Sequence, residues 1–177
     1  MPVLTLLRHA KSSWDDPVER DFDRPLNGRG WRAAERMGRY LGEAGLAFDV
    51  ALASPALRVK QTIEGVEKGL GRGLAARFDR RVYMASGVLL LDLLQGEGAG
   101  ETLLLVGHNP GLEDLLMLLV PDDGSPLRRE AEAKYPTATL AEIDLGEVPW
   151  QTIREGGGRL TRFVRPRDLD PALGPDG

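Results

Sequence analysis

Three short apolar runs constrain this chain more than anything else in it. They are Val3-Leu4-Thr5-Leu6-Leu7-Arg8, Asp49-Val50-Ala51-Leu52-Ala53 and Thr102-Leu103-Leu104-Leu105-Val106-Gly107. Each has the length of a strand and is apolar on both faces, and helix-like patterns lie between them. That alternation dictates an α/β fold, a three-layer sandwich with a mostly parallel central sheet flanked by helices. Ala34, Met37, Gly38 and Leu41 recur opposite Arg32, Glu35, Arg36 and Arg39, which predicts an amphipathic helix over 28–43. Val59, Ile63, Val66 and Leu70 mark a second helix, with Ser54 as the expected N-cap and Pro55 in its first turn. A weaker strand at 75–78 and an apolar helix over 86–95 follow. Asn109 and Pro110 then open a helix that buries Leu112, Leu115, Leu116 and Leu119. Two late strands, 137–145 and 159–164, lie beyond a polar stretch at 121–136. Residues 10–26, interrupted by Pro17 and Pro25, read as a long loop. The expected organisation is a single domain over 1–165 and a flexible tail over 166–177, where three prolines and two glycines gather.

Composition narrows the function. The 177 residues suffice for one well-buried domain, and a net charge of −4 argues against a general nucleic-acid surface. With no cysteine, disulfides and thiolate chemistry are excluded, and a reducing compartment is expected. No apolar stretch is long enough for a bilayer, and the first residues lack a secretory pattern, so the expectation is a cytoplasmic protein without a membrane partner.

The chain has only two histidines, and both stand where an apolar run stops: His9 after the first and His108 after the third. In open α/β sheets, ligand chemistry collects at the carboxyl ends of the strands. If the three runs share one parallel sheet, Arg8, His9, Ser54 to Arg58 and His108 meet on one edge. Two guanidiniums, two imidazoles and two helix N-termini then surround one point. Helix N-termini and arginine forks both suit phosphate oxygens, so the edge reads as a phosphoryl pocket. Taken singly, each residue has a plainer reading: His9 a satisfied strand-end residue, His108-Asn109-Pro110-Gly111 a capped helix start, Arg58 a solvated helix arginine.

These residues resemble a family. Leu7-Arg8-His9-Ala10-Lys11-Ser12, Ala53-Ser54-Pro55 with Arg58 and Thr62, and Val106-Gly107-His108-Asn109-Pro110-Gly111 are similar to the histidine phosphatase superfamily, and within it to the small SixA-type phosphohistidine phosphatases. Pro136-Thr137-Ala138 also fits, while Ala10 stands where many members carry glycine. The resemblance implies a phosphoglycerate mutase-like fold. It implies His9 as the nucleophile, Arg8 and Arg58 as clamps on the phosphoryl oxygens, and a protonated His108 as donor to them. Ser12 and Asp15 join Arg8, Arg58 and His108 as expected substrate contacts. No metal or cofactor is implied, and Asp15-Asp16, the nearest metal candidate, reads as a polar loop before Pro17.

The general acid is open between Asp15, Asp79 and none, because arginines flank Asp79 and would depress its pKa. A weak acid favours a phosphoramidate over a phosphoester, since an imidazole leaves more easily than an alkoxide. The interval from Arg58 to His108 also has no segment long enough for a lid. The expected partner is therefore a phosphate-bearing substrate, with a phosphohistidine-containing protein domain in signal transduction favoured. The rivals are a small-molecule phosphoester phosphatase or mutase, with Lys11, Trp14 and Arg24 lining its pocket, and a non-catalytic phosphate-binding module.

Overall fold

In the computed structural model, residues 2–15, 17–18 and 20–174 are described. Six strands form one sheet in the order β3-β2-β4-β1-β5-β6. They are β1 (Val3–Arg8), β2 (Val50–Ala53), β3 (Arg77–Phe78), β4 (Thr102–Gly107), β5 (Leu140–Asp144) and β6 (Arg159–Val164). β1, β2, β3 and β4 run parallel. β5 is antiparallel to both β1 and β6, so it alone is reversed and the sheet is mostly parallel, as the alternating pattern dictates.

Strand periodicity divides the core into two layers. Leu4, Leu6, Leu103 and Leu105 point to one face, where they pack with helices α3 (Gly87–Glu97), α4 (Gly111–Leu119) and α5 (Pro126–Ala133). Leu7, Leu104 and Val106 point to the other, against α1 (Gly28–Glu43) and α2 (Leu57–Leu70). Burial on both faces is why these strands are almost wholly apolar. α1 and α2 touch backbone to backbone: a Cβ added at Gly38 would sit 2.0 Å from the Val66 carbonyl oxygen.

Several expectations need correction. Ser54 does not cap α2; the cap is Ala56, and the Ser54 hydroxyl serves the site described below. The polar stretch 121–136 contains α5, opened by Ser125, whose Oγ accepts from the Arg128 amide, and by Pro126 in the first turn. β5 begins at Leu140 rather than 137, because Ala138 has φ 56° and its amide bonds to the carbonyls of Arg8 and His9 outside the regular ladder. The expected tail is not free over 166–174. Pro166–Leu169 form a short helix, α6, Leu173 is buried, and Arg29 donates to the Gly174 carbonyl. Residues 175–177 lie outside the described residues. Among those described, no helix is long and apolar enough to cross a membrane.

Candidate active site

Ladder register brings the site together. Arg8 pairs with Gly107 and Ala53 with Val106, so the next residue on each strand, His9, Ser54 and His108, emerges on one edge. The His9 amide still bonds to the Gly107 carbonyl (3.0 Å) and the Ser54 amide to the Val106 carbonyl (3.1 Å). The imidazole centroids are 5.4 Å apart. Around them lies a cavity of about 340 Å³, lined in part by Arg8, His9, Ser12, Arg24, Arg58 and His108.

Each ring is held in one tautomer by its partners. His9 Nδ1 lies 2.7 Å from the Ala10 carbonyl oxygen, which can only accept, so Nδ1 carries the proton and Nε2 the lone pair. The Ala10 amide is fixed in turn by Thr62 Oγ1 (2.9 Å), whose own hydroxyl donates to the Arg58 carbonyl. His108 Nε2 is 2.8 Å from Ser54 Oγ and its Nδ1 is 3.2 Å from an Arg58 guanidinium nitrogen. Arginine can only donate, so Nδ1 accepts and Nε2–H points to Ser54.

Burial, with the charges of Arg58 and Arg8 nearby, pushes both imidazoles down to about 3 against the one upward pull at His9, its bond to Ala10. The Arg58 contact at Nδ1 and the lowered pKa both favour neutral His108 in the unliganded site, whereas the resemblance implies a protonated donor. Positive charge resides instead on Arg8, Arg24 and Arg58. Burial also lowers the Arg8 pKa, and Arg8 donates to the Tyr135 carbonyl (2.9 Å), which Asn109 Nδ2 shares (3.1 Å). The cap of α4 is Pro110 rather than the expected Asn109, whose Oδ1 accepts from the amide of Glu113, the third residue of the helix.

The expected acids are elsewhere. Asp15 is exposed and does not line the cavity, and its amide bonds to Ser13 Oγ. Asp79 accepts from the Arg81 amide and ion-pairs with the Arg81 guanidinium, which holds its carboxyl low, and it does not line the cavity either. Asp16 lies outside the described residues. Among the described residues, the carboxylate that lines the cavity is Asp21, in a 3-10 turn over Asp21–Asp23. Its Oδ2 accepts from Arg58 (2.9 Å) and from the Tyr83 hydroxyl (2.9 Å), and its Oδ1 from Arg24 (2.9 Å). Partial burial pulls its pKa up, but hydrogen bonds from Arg24 and Tyr83 and the charge of Arg58 outweigh this and leave it at about 2.

Arg24, which the rival phosphoester reading places in the pocket, does line it. It also bonds to Ser12 Oγ and lies 3.8 Å from the Trp14 ring centroid. Asp21 could not be singled out from sequence, because acids recur through this loop and none has a motif's spacing.

Comparison with known proteins gives the family and the fold. Residues 4–82 match the model of the histidine phosphatase superfamily, branch 1. The uncharacterized protein Rv1276c of Mycobacterium tuberculosis is 32% identical, over 91% of this chain and 100% of its own length. The SixA protein of Agrobacterium tumefaciens is 30% identical with a TM-score of 0.78, covering 93% of this chain and 99% of its own. A SixA complexed with tungstate shares the fold, with a TM-score of 0.75 at 23% identity over 95% of this chain and 99% of its own. By motif order, register and overall likeness, this chain belongs to the histidine phosphatase superfamily, as a phosphatase of the SixA type.

Proposed function

We propose that this protein is a metal-independent phosphatase that removes the phosphoryl group from phosphohistidine on a protein, through a phosphohistidine formed at its own His9. The observation that carries this reading is the tautomer of His9. With Nδ1–H committed to Ala10, Nε2 is a neutral lone-pair nitrogen in a cavity lined by three guanidiniums. A nucleophile in that state needs no base to activate it.

Phosphoryl transfer asks chiefly for charge stabilisation on the equatorial oxygens, and Arg8 and Arg58 supply it, with Arg24 beside them. Ser12 acts through Arg24 by holding its guanidinium. As a phosphoryl dianion approaches, it offsets the positive field at His108. Nδ1 of that ring can then take a proton and donate to an oxygen, with Nε2–H still on Ser54. In the first step the His9 Nε2 lone pair forms a bond to phosphorus as the substrate's P–N bond breaks. The electron pair of that bond returns to the substrate imidazole, whose nitrogen picks up a proton. Water then attacks phosphorus as the P–N pair returns to His9 Nε2, and the proton of the attacking water departs with inorganic phosphate.

The substrate class rests on the acid. Among the described residues Asp21 is the carboxylate that lines the cavity, and its bonds from Arg24, Arg58 and Tyr83 hold it in the ionised form, with its pKa pulled down to about 2. An ionised carboxylate cannot protonate an alkoxide, whereas a phosphohistidine ring takes a proton from solvent on its other nitrogen and leaves as neutral imidazole. Access points the same way. Between Arg58 and His108 the described chain is spent on the rest of α2, β3, a 3-10 turn, α3 and β4. At the rim, Trp14 is 78% exposed. A side chain on a folded protein can enter such a site. SixA with tungstate bound is a protein histidine phosphatase, which supports the same assignment. A cysteine-free chain suits a reducing compartment, and we place the activity in the cytoplasm.

Parallel turnover of a histidine-phosphorylated protein domain and of sugar and nucleotide monophosphates tests the reading. Faster release from the phosphoprotein is expected. Faster turnover of a phosphoester would make the enzyme a small-molecule phosphatase.

A further inference from the structure

One exposed surface beside the cavity is built unlike the rest of the protein. α3 buries Leu90, Leu91, Leu93 and Leu94 against α4 and the sheet, so an ordinary amphipathic helix would carry polar residues opposite them. It carries Val88 and Leu89, which are 56% and 58% exposed. Four residues before Val88, Met84 is 51% exposed and also lines the catalytic cavity, with its sulfur 3.9 Å from an Arg58 guanidinium nitrogen. Met84 has φ 52°, a left-handed conformation that a side-chain-bearing residue seldom adopts. Strained backbone of that kind concentrates at sites that bind or react. On its outer side Val88 lines a groove of about 390 Å³ with Met117, Leu118 and Asp114. An apolar strip therefore runs from the catalytic mouth across the start of α3 to α4.

The strip is rigid. A Cβ at Gly87 would lie 2.8 Å from the Leu115 amide nitrogen, and one at Gly111 would lie 2.1 Å from the Ala85 carbonyl oxygen. Residues 85–87 are thus pressed onto α4 with no slack, and the surface is formed before any partner arrives.

Its charges have an order. The inner end opens on Arg8, Arg24 and Arg58, the middle is apolar with the exposed Asp114 on its flank beside Gly87, and the exposed Asp92 follows Val88 by one turn of α3 at the outer end. The complement is a segment with an anion, then apolar residues, then a basic residue. An amphipathic helix laid in a groove meets that order when a phosphohistidine near one end is followed on the same face by apolar side chains and then by lysine or arginine.

We infer that the strip of Met84, Val88, Leu89 and the groove against Met117 and Leu118 is the docking surface for the phosphohistidine-bearing helix of a protein substrate. This rests on the function proposed above and adds where the substrate protein lies and what it presents. Charge complementarity at both ends and continuity with the catalytic cavity carry it.

The test compares wild type with the double variant Val88→Asp/Leu89→Asp and, separately, with Asp92→Lys. Two substrates are used: a histidine-phosphorylated four-helix-bundle domain with basic residues beside its phosphohistidine, and free phosphohistidine. Circular dichroism and thermal melting verify that each variant folds, and Asp92→Lys leaves the apolar surface intact if the double variant does not. KM for the phosphoprotein is expected to rise at least ten-fold in the double variant and several-fold in Asp92→Lys. Hydrolysis of free phosphohistidine is expected to be unchanged in both. An unchanged KM for the phosphoprotein, or equal losses on both substrates, overturns the docking surface and leaves the proposed function standing. If wild type hydrolyses phosphoesters but not the phosphoprotein, both fall. A wild-type dimer in sedimentation that the double variant abolishes would assign the strip to a second copy of this chain, and would also overturn the inference.

Discussion

Replacing His9 by Asn removes one titrating ring and tests whether the proposed nucleophile is neutral. In the folded protein the His9 pKa lies at about 3, against about 6.5 for an unfolded histidine. The folded value is the lower one, so below about 6.5 the unfolded chain binds a proton that the folded chain refuses. The associated stability is complete above about pH 6.5 and is lost as pH falls toward 3. Each pH unit inside that window is worth about 1.4 kcal/mol per group, so lowering the pH from about 7 to about 5 removes roughly 2 kcal/mol through His9 alone. Total stabilities of about 5–15 kcal/mol make that loss easy to see. The assay is urea unfolding followed by circular dichroism at both pH values, for wild type and His9→Asn. His108 and the carboxylates titrate in both proteins, so the difference between the two pH slopes isolates His9. Wild type is expected to lose about 2 kcal/mol more than the variant over this range. Parallel slopes would mean that the folded ring protonates normally, and the neutral-nucleophile argument would fail.

Three further outcomes follow from the geometry. Arg58→Ala should lower kcat/KM by a factor on the order of 10²–10³, the usual loss when a preorganised charge-stabilising donor is removed, and an unchanged rate would exclude Arg58 from the transition state. Asp21→Asn removes a negative charge that Arg58 and Arg24 now hold beside the anion position. Relieving about 1 kcal/mol of repulsion from a half-exposed group should tighten tungstate inhibition roughly five-fold, and weaker inhibition would make Asp21 a positioning residue for the arginines. Gly38→Ala drives a methyl into the Val66 carbonyl between α1 and α2 and should destabilise the fold by about 1–3 kcal/mol in urea titration, with kcat unchanged in the protein that remains folded.

What sequence reveals here follows from what each feature depends on. Strands β1, β2 and β4 are legible because burial on two faces forces continuous apolar runs, and an α/β sheet then leaves little choice about which ends meet. His9, Ser54 and His108 become neighbours through parallel register alone. Asp21 depends on how a long loop folds back, and no local periodicity encodes that. Ser54 reads as a cap from its position before Pro55, yet its hydroxyl faces His108 because α2 starts two residues later than a cap there would allow. Proline misleads at the carboxyl end. Read as breakers, Pro166 and Pro171 instead occupy the opening positions of a short helix and a 3-10 turn, where a missing N–H matters least. α5 is hidden by its composition, since Leu127 and Ala131 supply its apolar contacts and Arg128 is buried through its bond to the Val120 carbonyl.

The central claim is covalent chemistry at one nitrogen. During turnover of a phosphohistidine protein, a rapid alkaline quench followed by peptide mass spectrometry should find a phosphoryl group on the peptide containing His9, and none in His9→Asn. Turnover that persists in His9→Asn, or a phosphoryl group trapped on any other residue, would contradict the account.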